Sequence, residues 1–324
     1  MDKELLDELM YCLSEDKTKV HYFKDKYCLI LLQQIVKEKT KVHTLKQGAM
    51  AHLFNKPVVK KWLASCGGQQ IHPWMVEQLW GLDLHHFTLT LGSWGGDSPS
   101  WQQTCRKGHN LVLQLNFPAQ HDRFLDKLSS RDGSQFKCYG HPIHAQKQTM
   151  AWARLDVSDD LSEVLIEEIQ NDWLRKALGW HDFLSDKEMQ EKAEINGFVN
   201  WQQLDRYVNQ FIKPLVSIWH EAMLCTAVEF IHNEIGAQRI YMYEHQTGCA
   251  LKQIGQYSQP PKSLYTKLPK QFGFKLSDQA PDFLQQDRFA AKKMKRFEKQ
   301  SKAKCQWYHL NLNSNLLGEL KHAS

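Results

Sequence analysis

The stretch EVLIEEIQNDWLRKA, residues 163–177, constrains the fold more than any other part of the chain. Its first half is apolar and rich in β-branched residues, which is typical of a buried strand. A helix is predicted to begin at Trp173, with Asn171 or Asp172 as its N-cap, because short polar side chains accept hydrogen bonds from the first free amides of a helix. The stretch therefore predicts a central strand followed directly by a helix.

Two adjacent glutamates near the end of this strand are the first candidate site. Regular alternation places Glu168 with Gln170 on one face and Glu167 on the other, so the carboxylates are predicted to point into different layers. One interpretation is an ordinary polar strand end. A second is catalysis, with Glu168 as a general base, because desolvation in a central strand is expected to raise the pKa of at least one of the two carboxylates. A third is ligand binding without chemistry, which adds Glu167, Gln170, Asn171, Asp172 and Trp173 as substrate-binding candidates.

Further strands are predicted on both sides of this stretch, because short runs of β-branched and aromatic residues alternate with polar ones. They are FTLTLGSW at 87–94, NLVLQLNF at 110–117, FKCYGHPI at 136–143, TMAWARLDV at 149–157 and RIYMYE at 239–244.

A long helix is predicted from Leu204 to Ile231, where apolar residues recur with a period of about 3.6. Gly236 is its predicted stop, and Pro214 is predicted to kink or divide it. The first 85 residues read as helices only. We therefore expect an N-terminal helical region at 1–85, an α/β domain at 86–276 and a basic helical tail at 277–324.

The tail has an unusual charge. Residues 288–304 carry eight Lys and Arg against one Glu, whereas the net charge of the whole chain is only +5. Apolar residues recur in this segment at helical spacing, so it is predicted to form a basic amphipathic helix. This is either a solvated helix or a nucleic-acid contact that neutralises phosphates. The candidate contacts are Lys292, Lys293, Lys295, Arg296 and Lys299.

Several function classes have no support in the sequence. Eight cysteines occur without any C-x-x-C pair, so we expect reduced thiols and no metal site. Nothing approaches the roughly 18 consecutive apolar residues of a membrane span, and the first residues have no apolar secretory segment, so a cytoplasmic protein without membrane contact is expected. P-loop and G-x-S-x-G motifs are also missing from the sequence.

The order of the predicted elements resembles the GNAT-type N-acetyltransferase superfamily. The predicted order is strand, helix, three strands, long helix, strand and helix. The segment that follows, SLYTKLPKQFGFK at 263–275, is similar to the Tyr-x-x-x-Gly-Phe ending of that superfamily. The resemblance covers roughly residues 108–276. It implies an α+β fold with a mixed, mostly antiparallel sheet flanked by helices, acetyl-coenzyme A as cofactor, and Tyr265 as proton donor to a leaving thiolate. The alternative is that Tyr265 is a structural residue packed beside Leu264.

This chain departs from the superfamily after the central strand. Members carry Gln/Arg-x-x-Gly-x-Gly/Ala there, whose amides hold the coenzyme's pyrophosphate at a helix start. Here the same place reads QNDWLRKALGW, with Asp172 where a phosphate is expected. The segment EEIQNDW is in addition similar to an EIQSDW segment of phage and mobile-element polyvalent proteins and of uncharacterised bacterial proteins, a family that implies no activity.

Three functions remain open from the sequence. The first is a GNAT-like acyltransferase, or a diverged relative without the coenzyme loop, whose crevice is lined by Glu168, Gln170, Asn171, Tyr243 and Tyr265, with Glu168 and Tyr265 as catalytic residues. The second is a nucleic-acid-associated protein of phage defence or of a mobile element, which uses the basic segment. The third is an interaction scaffold.

Overall fold

A computed structural model describes residues 1–13, 18–48, 50–67, 69–96 and 103–312, so the last part of the predicted tail, 313–324, lies outside the described residues. The described residues form a mixed α+β structure around one large sheet. The strands are β1 (Lys19–Tyr22), β2 (Thr40–Lys41), β3 (Gln70–Ile71), β4 (His85–Gly96), β5 (Gly108–Asn116), β6 (Thr149–Val157), β7 (Glu163–Gln170), β8 (Arg239–Tyr243), β9 (Lys275–Ser277) and β10 (Trp307–Asn311).

The helices precede, interrupt and follow the strands. They are α1 (Lys3–Leu9), α2 (Tyr27–Ile35), α3 (Val42–Gln47), α4 (Pro57–Ser65), α5 (Pro73–Val76), α6 (Asp122–Leu128), α7 (Trp173–Phe183), α8 (Lys187–Gln190), α9 (Trp201–Tyr207), α10 (Lys213–Val216), α11 (Trp219–Phe230), α12 (His245–Leu251), α13 (Lys267–Gln271), α14 (Asp282–Gln286) and α15 (Arg288–Ser301).

The large sheet has the order β1-β4-β5-β6-β7-β8-β10-β9, while β2 and β3 form a separate two-stranded pair. Adjacent strands in this large sheet run antiparallel, except for β7 and β8, which run parallel to each other. The prediction that EVLIEEIQ is a central strand is confirmed, since β7 has three or more strands on each side. A mostly antiparallel mixed sheet flanked by helices is confirmed as well.

The sheet separates two apolar cores. The larger core takes Val164, Ile166 and Ile169 from β7 together with apolar residues of α11, and α2 and other N-terminal helices contribute to the same core. The smaller core takes Leu165 from β7 and packs it against Tyr243 and helices α12, α14 and α15. Because both faces of β7 are covered, its polar side chains are withdrawn from water unless they lie at the strand's end.

Two sequence predictions are wrong in detail. The first 85 residues are not only helical, because β1 pairs antiparallel with β4 and joins the large sheet. The segment 136–143 is a loop rather than a strand, since Gly140 disfavours a strand and Pro142 has no amide for a ladder. Only two strands, β6 and β7, therefore separate helix α6 from the helices that follow.

The predicted long helix is divided. Two wider helical turns, Val208–Ile212 and Ile231–Ile235, interrupt it, and a break follows Pro214 between α10 and α11. The two parts, Trp201–Val216 and Trp219–Ile235, meet at a bend of 49°. Within the described residues no single helix is long and apolar enough to span a membrane, and only these two bent parts taken together pass the same test of length and composition.

Candidate functional site

An irregularity in β7 brings the two glutamates to one face of the sheet. Arg154 on β6 pairs with Glu168 and the next residue, Leu155, pairs with Ile166, so Glu167 is an extra residue in the ladder. Such a bulge interrupts the alternation of side chains. Both carboxylates therefore face the smaller core, and the prediction that they point into different layers is wrong.

The two glutamates belong to a buried ionic cluster of four side chains, Arg154, Glu167, Glu168 and Lys252, each at most 8% exposed. The Arg154 guanidinium donates to the Glu168 carboxylate. The Lys252 ammonium lies 3.8 Å from that carboxylate and donates to the Glu167 carbonyl oxygen at 2.9 Å. Two positive groups thus balance two negative groups in a region where unpaired charges are costly.

Glu167 lies deepest in the cluster. Its carboxylate accepts hydrogen bonds from the Tyr243 hydroxyl at 2.9 Å and from the Cys105 amide at 3.0 Å. Burial raises the pKa of Glu167 above its ordinary value, and the nearby Lys252 and Arg154 offset only part of that effect. Burial likewise raises the pKa of Tyr243, so the phenol keeps its proton.

The pKa of Glu168 is shifted in the opposite direction to that of Glu167. Burial would raise its pKa, but the charges of Lys252 and Arg154 outweigh burial, so the pKa of Glu168 lies below its ordinary value. The expectation that desolvation raises the pKa of at least one of the two carboxylates is confirmed, but the raised pKa belongs to Glu167 and not to the predicted base Glu168. Glu168 is an ionised carboxylate near neutral pH.

β7 and β8 separate next to this cluster. Their register ends at Ile166 and Met242, so the main chain of β7 beyond the bulge has no β8 partner. Side chains take the place of a strand there. Lys252 donates to the carbonyl of Glu167, and the amide of Ile169 donates to the Tyr265 hydroxyl at 3.3 Å. Burial raises the pKa of Tyr265, so this phenol also stays protonated.

A second polar group lies at the end of β7, around the buried side chain of Asp172. Its carboxylate accepts from His141 Nδ1 at 2.8 Å, from Gln170 Nε2 at 2.9 Å, from Arg175 at 2.8 Å and from the Trp152 indole at 3.3 Å. Burial raises the pKa of Asp172, but these donors, His141 first, outweigh it and hold the pKa below its ordinary value.

The remaining predicted residues near β7 have structural contacts. Helix α7 begins at Trp173 as predicted, and Asn171 supplies a capping oxygen that accepts from the Arg175 amide at 3.3 Å. Trp173 is buried and donates its indole N–H to the Tyr207 hydroxyl at 2.8 Å. Its ring packs in the larger core.

The predicted basic helix is present as α15, with Ala290 and Met294 buried against the smaller core. Four of the five predicted nucleic-acid contacts are exposed: Lys292, Lys295, Arg296 and Lys299. Lys293 instead turns inward, where its ammonium donates to the Thr104 carbonyl at 3.0 Å. Burial lowers the pKa of Lys293, and this residue does not belong to the outward face of the helix.

Sequence reasoning missed the partners that complete both polar groups. Arg154 and Lys252 are single cations within apolar segments, and their pairing with the glutamates depends on contacts between distant parts of the chain. Cys138 and His141 carried a usable signal, because C-x-x-H in a glycine-containing loop brings two metal-type ligands together.

The chain matches no protein-family model, no curated protein and no solved structure.

Proposed function

We propose that the chain is a GNAT-like acyl-transfer protein whose acyl donor binds where β7 and β8 separate. The supporting observation is that the main-chain groups of Glu167 and Ile169 are bonded by the side chains of Lys252 and Tyr265 and not by a strand. An extended acyl ligand can use the same carbonyl and amide, as an added strand would. Binding displaces the Lys252 ammonium from the Glu167 carbonyl.

Two side chains beside this opening have the protonation states that acyl transfer to an amine needs. Glu168 is ionised and accepts the proton that the attacking amine loses. Tyr265 is protonated and donates to the leaving group, so that one proton is taken up as another is released. Arg154 keeps Glu168 in place through a charge-assisted hydrogen bond.

The start of α7 does not fit the pyrophosphate of coenzyme A. The Asp172 carboxylate is buried at this helix start and carries a negative charge where the phosphates would lie. We therefore infer that the donor is recognised through its extended thioester arm alone, and no step in this proposal uses the nucleotide end of a coenzyme.

Binding of two probes tests this proposal. S-acetylpantetheine, which lacks the nucleotide, is expected to bind about as tightly as acetyl-coenzyme A when each is titrated into the protein by calorimetry. Changing Tyr265→Phe is expected to lower the rate of thiol release from bound S-acetylpantetheine in the presence of primary amines by roughly 100-fold, because a proton donor is lost. Its affinity for the probe should stay within a few-fold.

Tyr241→Phe is the matched control. Tyr241 is also a buried phenol, but it bonds Glu163 on the paired part of β7 and β8, away from the opening. That variant should release thiol at the normal rate. If neither probe binds at millimolar concentration, or if both tyrosine variants slow release equally, the acyl-transfer proposal is wrong.

Nucleic-acid binding by α15 is a second candidate function, because its exposed cations share one face. An α-helix turns by about 100° per residue, so these side chains project within a sector of about 100° around the helix axis: Lys292, Lys295, Arg296 and Lys299. The buried Ala290 and Met294 lie on the opposite side. The helix therefore presents its charges outward on a fixed support.

Salt dependence tests this candidate. Affinity for duplex DNA is expected to fall with salt at a slope of roughly −3 to −5 in log K against log salt concentration, since four or five phosphates are neutralised. Changing Lys292, Lys295, Arg296 and Lys299 to Ala should flatten the slope without unfolding the protein. The same change at the exposed residues Lys37, Lys39, Lys41 and Lys46 is the control. Equal effects of the two quadruple variants, or a slope near zero, would exclude α15 as the contact.

A further inference from the structure

Three metal-ligating side chains meet at the end of β7. Cys138 and His141 come from the loop before β6, and Asp172 comes from the start of α7. Each offers a ligand atom, and these atoms all lie within 4.8 Å of one another. The set contains one thiol, one imidazole and one carboxylate, all of which are ligands of Zn²⁺ in proteins.

The loop that carries Cys138 and His141 is held in place along its length. The His141 amide donates to the Cys138 carbonyl at 3.0 Å, which closes the turn between the two ligands. Lys176 on α7 donates to the Lys137 carbonyl, and Gln114 on β5 donates to the Pro142 carbonyl at 2.9 Å. The ligands on this loop are thus fixed by bonds from two different elements.

Asp172 is oriented from several sides. Gln170, Trp152 and Arg175 all donate to its two oxygens. Hydrogen bonds of this kind orient ligating carboxylates and their loss weakens metal binding. The arrangement therefore supplies both the ligands and the groups that normally support them.

We propose that Cys138, His141 and Asp172 form a binding site for a single Zn²⁺ or a similar transition-metal ion. This proposal does not depend on acyl transfer. A thiolate and a carboxylate balance the two charges of the ion, while His141 binds as neutral imidazole. Three protein ligands leave the fourth position of a tetrahedral ion open to water or to a ligand, which is the pattern of reactive rather than purely structural zinc sites.

Loading the site needs only a small movement. His141 Nδ1 lies 2.8 Å from Asp172 Oδ2, whereas two ligands of one tetrahedral ion with bonds of about 2.0–2.1 Å are about 3.3 Å apart. The ion replaces the proton between these atoms, and the Cys138 thiol loses its proton to solvent. Since the His141 side chain is 32% exposed, the ion can enter from water.

Cobalt substitution tests the proposal, because Co²⁺ reports its ligands by absorption whereas Zn²⁺ is silent. Metal-free protein titrated with Co²⁺ is expected to bind one equivalent and to develop visible bands of a tetrahedral ion together with a near-ultraviolet thiolate-to-metal band. One equivalent of Zn²⁺ should remove these bands. Cys138→Ser should abolish the thiolate band and weaken metal affinity by about 100-fold or more.

Cys66→Ser is the matched control, since Cys66 is another free and partly buried cysteine on a different helix end. It should leave both the spectrum and the stoichiometry unchanged. His141→Ala should lower affinity while keeping a weakened thiolate band. A thiolate band that survives Cys138→Ser, or Co²⁺ uptake without such a band, would overturn the proposal. Binding of S-acetylpantetheine by metal-free protein reports separately on the proposed function.

Discussion

Replacing Arg154 with Met is expected to lower the free energy of unfolding by about 3–5 kcal/mol, because it leaves a buried carboxylate without its main partner. Arg154 is 1% exposed and donates both to Glu168 and to the Gln103 carbonyl at 3.1 Å. Its guanidinium also lies 5.6 Å from the centre of the Trp94 ring. Methionine keeps most of the side-chain volume, so the loss measured by urea unfolding at pH 7 reports mainly the missing charge and hydrogen bonds.

The double variant Arg154→Met with Glu168→Gln should recover part of this loss, since the remaining Glu167 and Lys252 then balance each other. Arg175→Met is the matched control. Arg175 also bonds a buried carboxylate, but its side chain is 66% exposed, and such pairs contribute only about 0–1 kcal/mol. If Arg154→Met costs no more than Arg175→Met, the cluster does not depend on charge balance.

His121 is expected to make the protein sensitive to acid. It is fully buried, stacks on Phe117 at 4.0 Å and accepts from the Tyr207 hydroxyl, which itself accepts from Trp173. Within the described structure, His121 Nδ1 has no hydrogen-bond partner. Burial lowers the pKa of His121 to about 3.

The direction of this acid sensitivity follows from the pKa of His121 in the folded and unfolded states. In the unfolded chain the pKa of His121 is about 6.5, so protonation of that state begins as pH falls below this value while the folded state stays neutral. The free energy of unfolding therefore falls by about 1.4 kcal/mol per pH unit, or about 3 kcal/mol between pH 6.5 and pH 4. Above about pH 7.5 His121 contributes almost no pH dependence, because it is neutral in both states.

His121→Phe isolates this contribution. The variant loses stability at pH 7, because the Tyr207 hydroxyl loses its acceptor, but the difference from the unmodified protein should shrink by about 3 kcal/mol by pH 4. Unfolding in urea at a series of pH values measures it. The same change at the exposed His43 should leave the acid dependence intact. A constant difference for His121→Phe across this range would contradict the assignment.

Much of the sheet was predictable from the sequence, because buried strands carry a local pattern. β5, β6, β7 and β8 coincide closely with predicted runs, and α15 coincides with the basic amphipathic segment. β1 was missed because an edge strand of four residues, KVHY, has too little alternation to stand out. The segment 136–143 has the apolar and aromatic composition of a strand, but Gly140 and Pro142 disfavour one, and it forms a loop.

The candidate site was only partly predictable. Of the predicted crevice residues, Glu168, Tyr243 and Tyr265 lie around Lys252 where the strands separate. Gln170 and Asn171 instead lie at the strand end, where Gln170 donates to Asp172 and Asn171 accepts from the start of α7. The bulge was not predictable, because it depends on a mismatch in register between β6 and β7 and not on the residues of β7 alone. Because of this one extra residue, Glu167 lies on the same face as Glu168. Arg154 and Lys252 lower the pKa of Glu168, and the carboxylate with the raised pKa is Glu167.

The order of strands has a consequence for how the chain folds during synthesis. In the finished sheet β10 lies between β8 and β9 and pairs with both. A ribosome makes β8 and β9 well before β10, so until then the outer edge of β8 has free amides and carbonyls beside largely buried side chains. Open edges of this kind pair readily with other chains. The nascent protein is thus most prone to aggregation in the interval between the synthesis of β8 and the arrival of β10.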